Sequence, residues 1–449
     1  MKKLFGTDGM RGEAGIFPLD KKTIEIVGSS LARQFKEKLG RNARFITGRD
    51  TRESGSWIEE AFHRGATLGG ANCESAGLIT TPGVAFLTKN FNFDAGIVIS
   101  ASHNPFQDNG IKIFLPTGRK LDEATEREIE KNIFLNAECG MQNAELEKID
   151  SSKAIEYQNN YLDYLAEEFK ALSLNGFKLV VDCANGASSN LAPRLFERFG
   201  AKVVALHNSP NGKNINNNCG STHIESLLAK VVEEKANFGV AFDGDADRSL
   251  FVDEKGNLVD GDATLWAMAQ LLKSHGRLNN DTVVATVMSN IGLEVALKSI
   301  NVNLLRTSVG DKYVLQSLLE TNSSVGGEQS GHIIFPDKSL VGDGMMTALF
   351  LLEVLFETGK SLSEITAGFT RFPQILVNVK VKEKRPFEEV AKIVEASKQV
   401  EAELGNQGRL LLRYSGTENL ARVMIEGENQ SEIERQANWL ADIIKEALS

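Results

Sequence analysis

Three carboxylates alternate along a short acidic stretch of the sequence, at Asp243, Asp245 and Asp247. They follow an apolar run from Phe238 to Phe242, which predicts a buried strand. In an extended segment residues two apart face the same side, so these side chains would repel one another unless a cation lay between them. Because Mg²⁺ prefers oxygen ligands and keeps positions open for phosphate or water, the spacing predicts a Mg²⁺ site. A solvated acidic turn is the alternative.

A serine that could carry out chemistry lies between two apolar runs, in the sequence Ser100-Ala-Ser102-His-Asn104-Pro105. Pro105 has a fixed φ and biases Asn104 toward an extended conformation. We therefore expect Ser102 on a stiff turn at the exposed end of a strand. An ordinary loop with a helix cap or an Asx-turn is the alternative interpretation.

The surroundings of Ser102 do not match those of a hydrolase serine. The sequence has no G-x-S-x-G elbow at this serine, and His103, its direct neighbour, is expected to point to the opposite face. A metal-dependent phosphoryl carrier is the better interpretation, because a divalent cation offsets the charge of a phosphoserine. Lys112 and Arg248 lie on the segments that would surround it.

A glycine-rich loop further along the chain places Glu328, Ser330 and His332 in alternation. If all three side chains face a ligand, they could bind the hydroxyl groups of a sugar. A structural glycine-rich loop is the alternative for this segment taken alone.

A fourth polar loop offers hydrogen-bond donors that match a phosphate dianion. It contains Arg413, Ser415, Gly416 and Thr417, which supply a guanidinium group, two hydroxyls and backbone N–H groups. Arg11 and Arg422 are further candidates for neutralising negative charge. A plain hairpin turn is the alternative interpretation.

The elements that carry the first three loops repeat in the same order. Three rounds of alternating strands and helices each end in a strand that runs into a glycine-rich polar loop, and we expect ligands at the carboxyl ends of these strands. The predicted fold is α/β, with three similar domains of mixed, mostly parallel sheets and a smaller C-terminal α+β domain around one central cleft. The expected boundaries are 1–150, 151–256, 257–371 and 372–449.

Composition excludes several classes of protein. The 449 residues are 42% apolar and carry a net charge of −10, which would repel nucleic acid. The start lacks the apolar core of a secretory signal, and no apolar stretch is long enough to cross a membrane, so we expect a cytoplasmic protein. Cys73, Cys139, Cys183 and Cys219 form no C-x-x-C pair, which argues against a zinc site and a disulfide framework.

The four loops together, in this order, resemble the signature loops of the α-D-phosphohexomutase family, and the likeness covers essentially the whole chain. Within that family, three features resemble the branch that isomerises glucosamine phosphates. They are the opening stretch Phe5-Gly-Thr-Asp-Gly-Met-Arg-Gly12, Ser100 in the serine loop, and Gln329 in the sugar loop. Lys312 departs from the arginine found in many relatives, but it keeps the positive charge.

The resemblance implies a role for each loop. Ser102 would carry the phosphoryl group and complete the Mg²⁺ ligands, while Glu328 and Ser330 would bind the sugar. The family positions implicated in proton transfer or charge stabilisation match Lys112, His332 and Arg11, and the general base among them is not assigned. Arg248, which directly follows the three aspartates, is a further candidate for stabilising charge. The phosphate that does not react would lie against Arg413, Ser415, Gly416, Thr417 and, by its charge, Arg422.

The implied reaction converts glucosamine 6-phosphate to glucosamine 1-phosphate through a phosphoserine enzyme and a 1,6-bisphosphate intermediate. Its product would feed UDP-N-acetylglucosamine and cell-wall synthesis, and a homodimer is the family expectation. The alternatives are a phosphomannomutase or phosphoglucomutase with the same loops, and a catalytically silent sugar-phosphate sensor.

Overall fold

The structure, a computed structural model, describes residues 3–6, 8–135, 149–405, 407–415 and 419–448. The chain forms two compact units. One comprises Met1–Val287 with Leu305–Thr366, and the other comprises Met288–Leu304 with Ala367–Ser449. None of the described helices is long and apolar enough to cross a membrane. The boundaries of the four expected domains remain a prediction.

The first sheet has six strands in the order β1-β2-β6-β5-β3-β4. The strands are β1 (Phe5–Gly6), β2 (Gly9–Glu13), β3 (Arg44–Arg49), β4 (Asn72–Leu78), β5 (Ala95–Ile99) and β6 (Asp108–Phe114). The accompanying helices are α1 (Lys21–Leu39), α2 (Gly55–Leu68), α3 (Thr81–Asn90) and α4 (Glu123–Leu135). Strand β5 is buried along its whole length, as its uninterrupted apolar sequence predicts.

The second sheet has five strands in the order β11-β10-β9-β7-β8. They are β7 (Lys178–Asp182), β8 (Lys202–Leu206), β9 (Phe238–Phe242), β10 (Ser249–Val252) and β11 (Leu258–Val259). The helices of this part of the chain are α5 (Ala154–Glu168), α6 (Leu191–Arg198) and α7 (Glu225–Glu234). Strand β7 pairs in parallel with both β8 and β9, and β10 returns antiparallel to β9.

The third sheet has four strands in the order β13-β12-β14-β15. They are β12 (Thr282–Thr286), β13 (Asn303–Thr307), β14 (Gly326–Gly327) and β15 (Ile333–Ile334). The helices are α8 (Gly261–Ser274), α9 (Ile291–Ser299), α10 (Asp311–Thr321), α11 (Gly344–Thr358) and α12 (Leu362–Thr366). Strands β14 and β15 have only two residues each, so much of this layer is helix and turn.

One strand order recurs in all three sheets and confirms the predicted α/β repeat. In each repeat the first strand lies between the second and the third, and a fourth strand returns antiparallel to the third. The loops predicted to contain Ser102, the three aspartates and Glu328 all lie between the third and fourth strands. The repeat therefore presents the three loops at equivalent places, at the carboxyl ends of the third strands.

The C-terminal sheet is antiparallel, with the order β16-β18-β17. Its strands are β16 (Gln374–Lys380), β17 (Gly408–Tyr414) and β18 (Leu420–Gly427), and its helices are α13 (Ala391–Leu404) and α14 (Gln430–Leu448). Val423, Ile425, Leu440 and Ile444 are fully buried in the core between this sheet and its helices. This is the compact α+β arrangement that the sequence predicts.

Candidate active site

The backbone of the serine loop turns Ser102 inward. Ser102 has a φ of 54°, in the left-handed region, and its N–H donates to Ser100 Oγ at 2.9 Å. The prediction of an exposed serine is wrong, because the residue is only 1% exposed. Gly244 makes this packing possible, since a Cβ at that position would lie 2.5 Å from the carbonyl oxygen of Ser102.

Two buried side chains hold the same two carbonyl groups of the serine loop. Arg52 Nη2 donates to the carbonyl oxygens of Ser102 and Asn104 at 3.1 and 2.6 Å. Asn216 Nδ2 donates to the same oxygens at 2.8 and 3.0 Å. Neither residue was predicted from the sequence, because nothing in the residues around Arg52 or Asn216 indicates a contact with a loop 50 or 114 positions away.

The three alternating aspartates converge beside this serine. Asp243, Asp245 and Asp247, which we call the acidic cluster, each offer an oxygen within 4.8 Å of the others. Their convergence was predicted, but its cause is a turn and not an extended strand, since Ala246 has a φ of 55°. Ser102 Oγ donates to Asp243 Oδ2 at 2.5 Å, so the hydroxyl and the carboxylates form one site.

The acidic cluster fits a hard divalent cation. The Oδ1 atoms of Asp245 and Asp247 are buried and have no hydrogen-bond partner among the described residues. Burial, together with the charges of Asp247 and Asp245, raises the pKa of Asp243 well above its ordinary value. A bound cation would stabilise all three carboxylates in their charged form. These residues can therefore hold a metal ion.

Lys112 lies within the same network of charges. Its ammonium group donates to Asp245 Oδ2 at 2.8 Å and to Asp247 Oδ2 at 3.2 Å, and it lies 3.1 Å from Asp8 Oδ2. Burial alone would lower the pKa of Lys112, but Asp245 and Asp247 raise it well above its ordinary value. The side chain is therefore a fixed positive charge in this arrangement.

His103 lies closer to the Ser102 hydroxyl than its position in the sequence predicts. Because Ser102 has a left-handed backbone, His103 Nδ1 lies 3.3 Å from Ser102 Oγ and does not point to the opposite face. The same nitrogen lies 3.3 Å from Arg248 Nη1. Burial and the charge of Arg248 lower the pKa of His103, so the ring is neutral and can accept a hydrogen bond.

A cavity of about 410 Å³ opens beside the acidic cluster. Among its lining residues are Arg11, Arg248, Glu328 and His332. The Nε atoms of both arginines are buried and have no hydrogen-bond partner within the described part of the chain, so each has a donor free for an anion. The cavity therefore combines positive charge with the polar groups that a phosphosugar requires.

Two of the three residues predicted in the glycine-rich loop line the cavity. Glu328 and His332 line the cavity, whereas Ser330 is exposed at the tip of the turn. His332 Nε2 accepts a hydrogen bond from the N–H of Gly342 at 3.2 Å, which leaves the ring proton on Nδ1, 3.7 Å from Asp247 Oδ1. Burial alone would lower the pKa of His332, but the contact with Asp247 raises it.

The predicted phosphate loop lies on the hairpin of the C-terminal unit. Arg413 and Arg422 are directly opposite each other in the β17–β18 register. Burial and the charge of Arg422 lower the pKa of Arg413, and Arg422 Nε is buried with no partner among the residues that the structure describes. The carbonyl oxygen of Ser415 accepts from Lys384 Nζ at 2.7 Å. Gly416 and Thr417 lie outside the described residues.

Four segments of the chain match the domains of one protein family. Residues 2–138, 159–256 and 260–372 match the phosphoglucomutase/phosphomannomutase alpha/beta/alpha domains I, II and III. Residues 376–443 match the C-terminal domain of the same family. This chain belongs to the phosphohexomutase family. The predicted family is confirmed, and with it the prediction of an enzyme, a phosphomutase.

Curated relatives in the phosphohexomutase family align over the whole chain. The phosphoglucosamine mutase of Caldicellulosiruptor saccharolyticus is 48% identical, with 100% of both chains covered. The phosphoglucosamine mutase of Koribacter versatilis is 46% identical over 100% of this chain and 98% of its own.

Solved structures share the fold. A phosphoglucomutase/phosphomannomutase family protein from Burkholderia thailandensis superposes with a TM-score of 0.79 at 23% identity, covering 99% of this chain and 97% of its own. The Aspergillus fumigatus N-acetylphosphoglucosamine mutase, in complex with GlcNAc-6P and magnesium, superposes with a TM-score of 0.69 at 20% identity, with coverage of 99% and 96%.

Proposed function

We propose that this phosphomutase interconverts glucosamine 6-phosphate and glucosamine 1-phosphate, with Ser102 as the phosphoryl carrier. One observation carries the assignment of the nucleophile: the Ser102 hydroxyl donates to Asp243 at 2.5 Å within the acidic cluster. The choice of glucosamine is supported by the relatives of 44 to 48% identity that are named phosphoglucosamine mutases.

The metal that we propose for the acidic cluster is Mg²⁺, held by Asp243, Asp245, Asp247 and the oxygen of Ser102. Carboxylate and hydroxyl oxygens are the ligands that this ion prefers. When bound, Mg²⁺ supplies positive charge that stabilises a phosphoryl group in transfer. Lys112 donates to Asp245, and the guanidinium of Arg248 interacts electrostatically with Asp247 and Asp243, so two further positive charges lie beside the acidic cluster.

We assign the sugar to the cavity beside the acidic cluster. Glu328 would accept hydrogen bonds from the sugar hydroxyls, and its carboxylate would also pair with the protonated amine of glucosamine. Ser330, at the tip of the same turn, would supply a further hydroxyl. Arg11 and Arg248 each have an unpaired buried Nε that can donate to a phosphate oxygen.

We assign the phosphate that does not react to the C-terminal hairpin. Arg413 and Arg422 oppose each other there, and an anion between them would relieve the repulsion of their like charges. Ser415, Gly416 and Thr417 would add hydroxyl and backbone N–H donors.

Two phosphoryl transfers complete the proposed reaction. In the first, the oxygen at carbon 1 of glucosamine 6-phosphate attacks the phosphorus of phosphoserine 102, the bond to Ser102 Oγ breaks, and a base accepts the hydroxyl proton. The 1,6-bisphosphate then reverses its orientation. Ser102 Oγ loses its proton and attacks the 6-phosphorus, the bond from phosphorus to the oxygen at carbon 6 breaks, and that oxygen takes up a proton. The candidates for proton transfer are His103, 3.3 Å from Ser102 Oγ, and His332, which lines the cavity. Lys112 is better suited to stabilising charge because it remains protonated.

Comparing three substrates tests the proposed specificity. Purified protein would be assayed with the 1-phosphates of glucosamine, mannose and glucose in the presence of Mg²⁺ and a trace of the matching bisphosphate, with Ser102→Ala as the matched control. We expect the highest kcat/KM for glucosamine 1-phosphate and loss of turnover of all three in the control. A clear preference for mannose or glucose 1-phosphate would contradict the assignment of the sugar.

A further inference from the structure

A second group of metal-ligating side chains lies in the sheet that carries the acidic cluster. Asp182 is the last residue of β7, His207 follows β8, and Cys219 precedes a short 3₁₀ turn at Gly220–Thr222. Each residue offers one ligand atom, and these atoms lie within 4.8 Å of one another. We propose that Asp182, His207 and Cys219, which we call the mixed cluster, bind a divalent transition-metal ion, with Zn²⁺ as the preferred ion.

The distances in the mixed cluster are close to those of a metal site. With metal–ligand bonds of roughly 2.0 to 2.3 Å, the ligand atoms of a tetrahedral zinc site lie about 3.3 to 3.8 Å apart. His207 Nδ1 lies 3.0 Å from Asp182 Oδ2. The contact with Asp182 raises the pKa of His207, so an ion would have to take the place of the proton that these two atoms share. Small side-chain movements would therefore bring the three atoms around one ion.

Neighbouring groups already orient two of the three ligands. Asp182 Oδ1 accepts from the N–H of Ala184 at 2.9 Å, and Oδ2 accepts from the N–H of Gly220 at 3.0 Å. Asn185 Nδ2 lies 3.9 Å from Cys219 Sγ, as a weak hydrogen bond to sulfur. Such outer contacts fix the direction of metal ligands and raise the affinity of the site.

The donor atoms of the mixed cluster select a different ion from the acidic cluster. A thiolate and an imidazole favour Zn²⁺ or Co²⁺, whereas Mg²⁺ prefers oxygen ligands alone. Burial raises the pKa of the Cys219 thiol to about 12, so a bound ion has to displace its proton to the solvent. Asp182 and Cys219 are fully buried, whereas the side chain of His207 is 30% exposed, so the cluster lies near the surface on the histidine side.

An ion at this place would join segments that also hold the serine loop. Residues 208–218 connect His207 to Cys219, and they include Asn216. The N–H of Asn216 donates to the carbonyl oxygen of Ala184 at 2.9 Å, while its side chain donates to Ser102 and Asn104. The mixed cluster is therefore a structural site, whose ion would stabilise the segment that contains Asn216 and so the position of Ser102. This role does not depend on which sugar the enzyme isomerises.

Titration with Co²⁺ tests the site in the full-length protein, freed of metal by a chelator. A cobalt–thiolate bond produces a charge-transfer band in the near ultraviolet, which oxygen ligands such as those of the acidic cluster cannot produce. We expect this band to saturate at one Co²⁺ per chain and to disappear when Zn²⁺ is added. The Asp245→Asn variant should retain it.

Variants of the mixed cluster decide between a metal site and a buried hydrogen-bonded thiol. Cys219→Ser should abolish the band, and His207→Gln, at a partly exposed position, should weaken Co²⁺ binding by more than the roughly 10–100-fold that loss of an outer contact costs. Cys73→Ser is the matched control and should retain the band. The proposal is overturned if wild-type protein gives no band, if the band survives in Cys219→Ser, or if His207→Gln binds Co²⁺ as tightly as wild type.

Discussion

The acidic cluster and the mixed cluster occupy neighbouring strands of one sheet, yet their chemistry differs. The acidic cluster follows β9. In the mixed cluster, Asp182 ends β7 and His207 follows β8, and β7 lies between β8 and β9 in the sheet. The acidic cluster has only carboxylates, whereas the mixed cluster has one carboxylate, one imidazole and one thiol. The sheet edge thus determines where ligands can gather, while the side chains at that edge determine which ion they suit.

The two clusters also differ in what lies beside them. The acidic cluster touches a serine hydroxyl, a buried ammonium group and a cavity lined with arginines. At the mixed cluster, Asp182 accepts from two backbone N–H groups and contacts the imidazole of His207. These surroundings fit the catalytic role that we propose for the acidic cluster and the structural role that we propose for the mixed cluster.

Removing the Ser102 hydroxyl should have the largest effect on activity, and it should leave metal binding at the mixed cluster unchanged. We expect Ser102→Ala to lower kcat by at least about 10⁴-fold, as loss of a nucleophile does in other covalent mechanisms. Intact-mass measurement of wild-type protein should reveal a fraction heavier by one phosphoryl group, which is absent from the variant. The cobalt–thiolate band should persist in Ser102→Ala; its loss would mean that the two sites are not independent.

Removing one carboxylate of the acidic cluster should have the next largest effect on activity, through weaker binding of Mg²⁺. Asp245 accepts from Thr81 and from Lys112, and its other oxygen has no hydrogen-bond partner in the described residues. We expect Asp245→Asn to lower the affinity for Mg²⁺ by at least about 100-fold, because the change removes a ligand charge directly. Mg²⁺ titrations of the activity measure this shift.

Recovery at high Mg²⁺ distinguishes loss of a ligand from damage to the fold. Part of the lost activity of Asp245→Asn should return as Mg²⁺ is raised, and Asp281→Asn, which changes an exposed carboxylate, should behave as wild type. An Asp245→Asn enzyme with unchanged Mg²⁺ dependence would remove Asp245 from the ligand set.

Removing one support of the serine loop should have the smallest effect. Asn216→Ala deletes two hydrogen bonds to the carbonyl groups of Ser102 and Asn104. Their loss costs about 1–2 kcal/mol, so kcat should fall roughly 5- to 30-fold. Because Asn216 positions the nucleophile without touching the sugar, KM should change little. Steady-state kinetics of this variant and of Asn217→Ala, an exposed neighbour, test the expectation; a fall in melting temperature without a fall in kcat would contradict it.

The sequence predicts the elements of this fold well, since most of them are encoded by local apolar patterns. The apolar runs at Lys178–Asp182, Lys202–Leu206 and Phe238–Phe242 coincide with β7, β8 and β9. The repeated strand and helix order also placed the three loops correctly. These features depend on residues close together in the sequence, and therefore a pattern can reveal them.

The details of the site depend on contacts that no local pattern encodes. Arg52 and Asn216 reach the serine loop from distant segments, and the left-handed φ of Ser102 brings His103 to the hydroxyl. The absence of a C-x-x-C pair pointed away from a zinc site. It could not reveal that Cys219 would lie beside an aspartate and a histidine from other segments of the chain. Only the folded chain brings these residues together.

The central claim is that Ser102 delivers its phosphoryl group to the sugar from beside the acidic cluster. Its most direct test is a single turnover with protein carrying a labelled phosphoryl group on Ser102, mixed with unlabelled glucosamine 1-phosphate and Mg²⁺. We predict that the label leaves the protein as fast as product forms and appears in the sugar phosphates. Label that stays on the protein while glucosamine 6-phosphate accumulates would contradict the account.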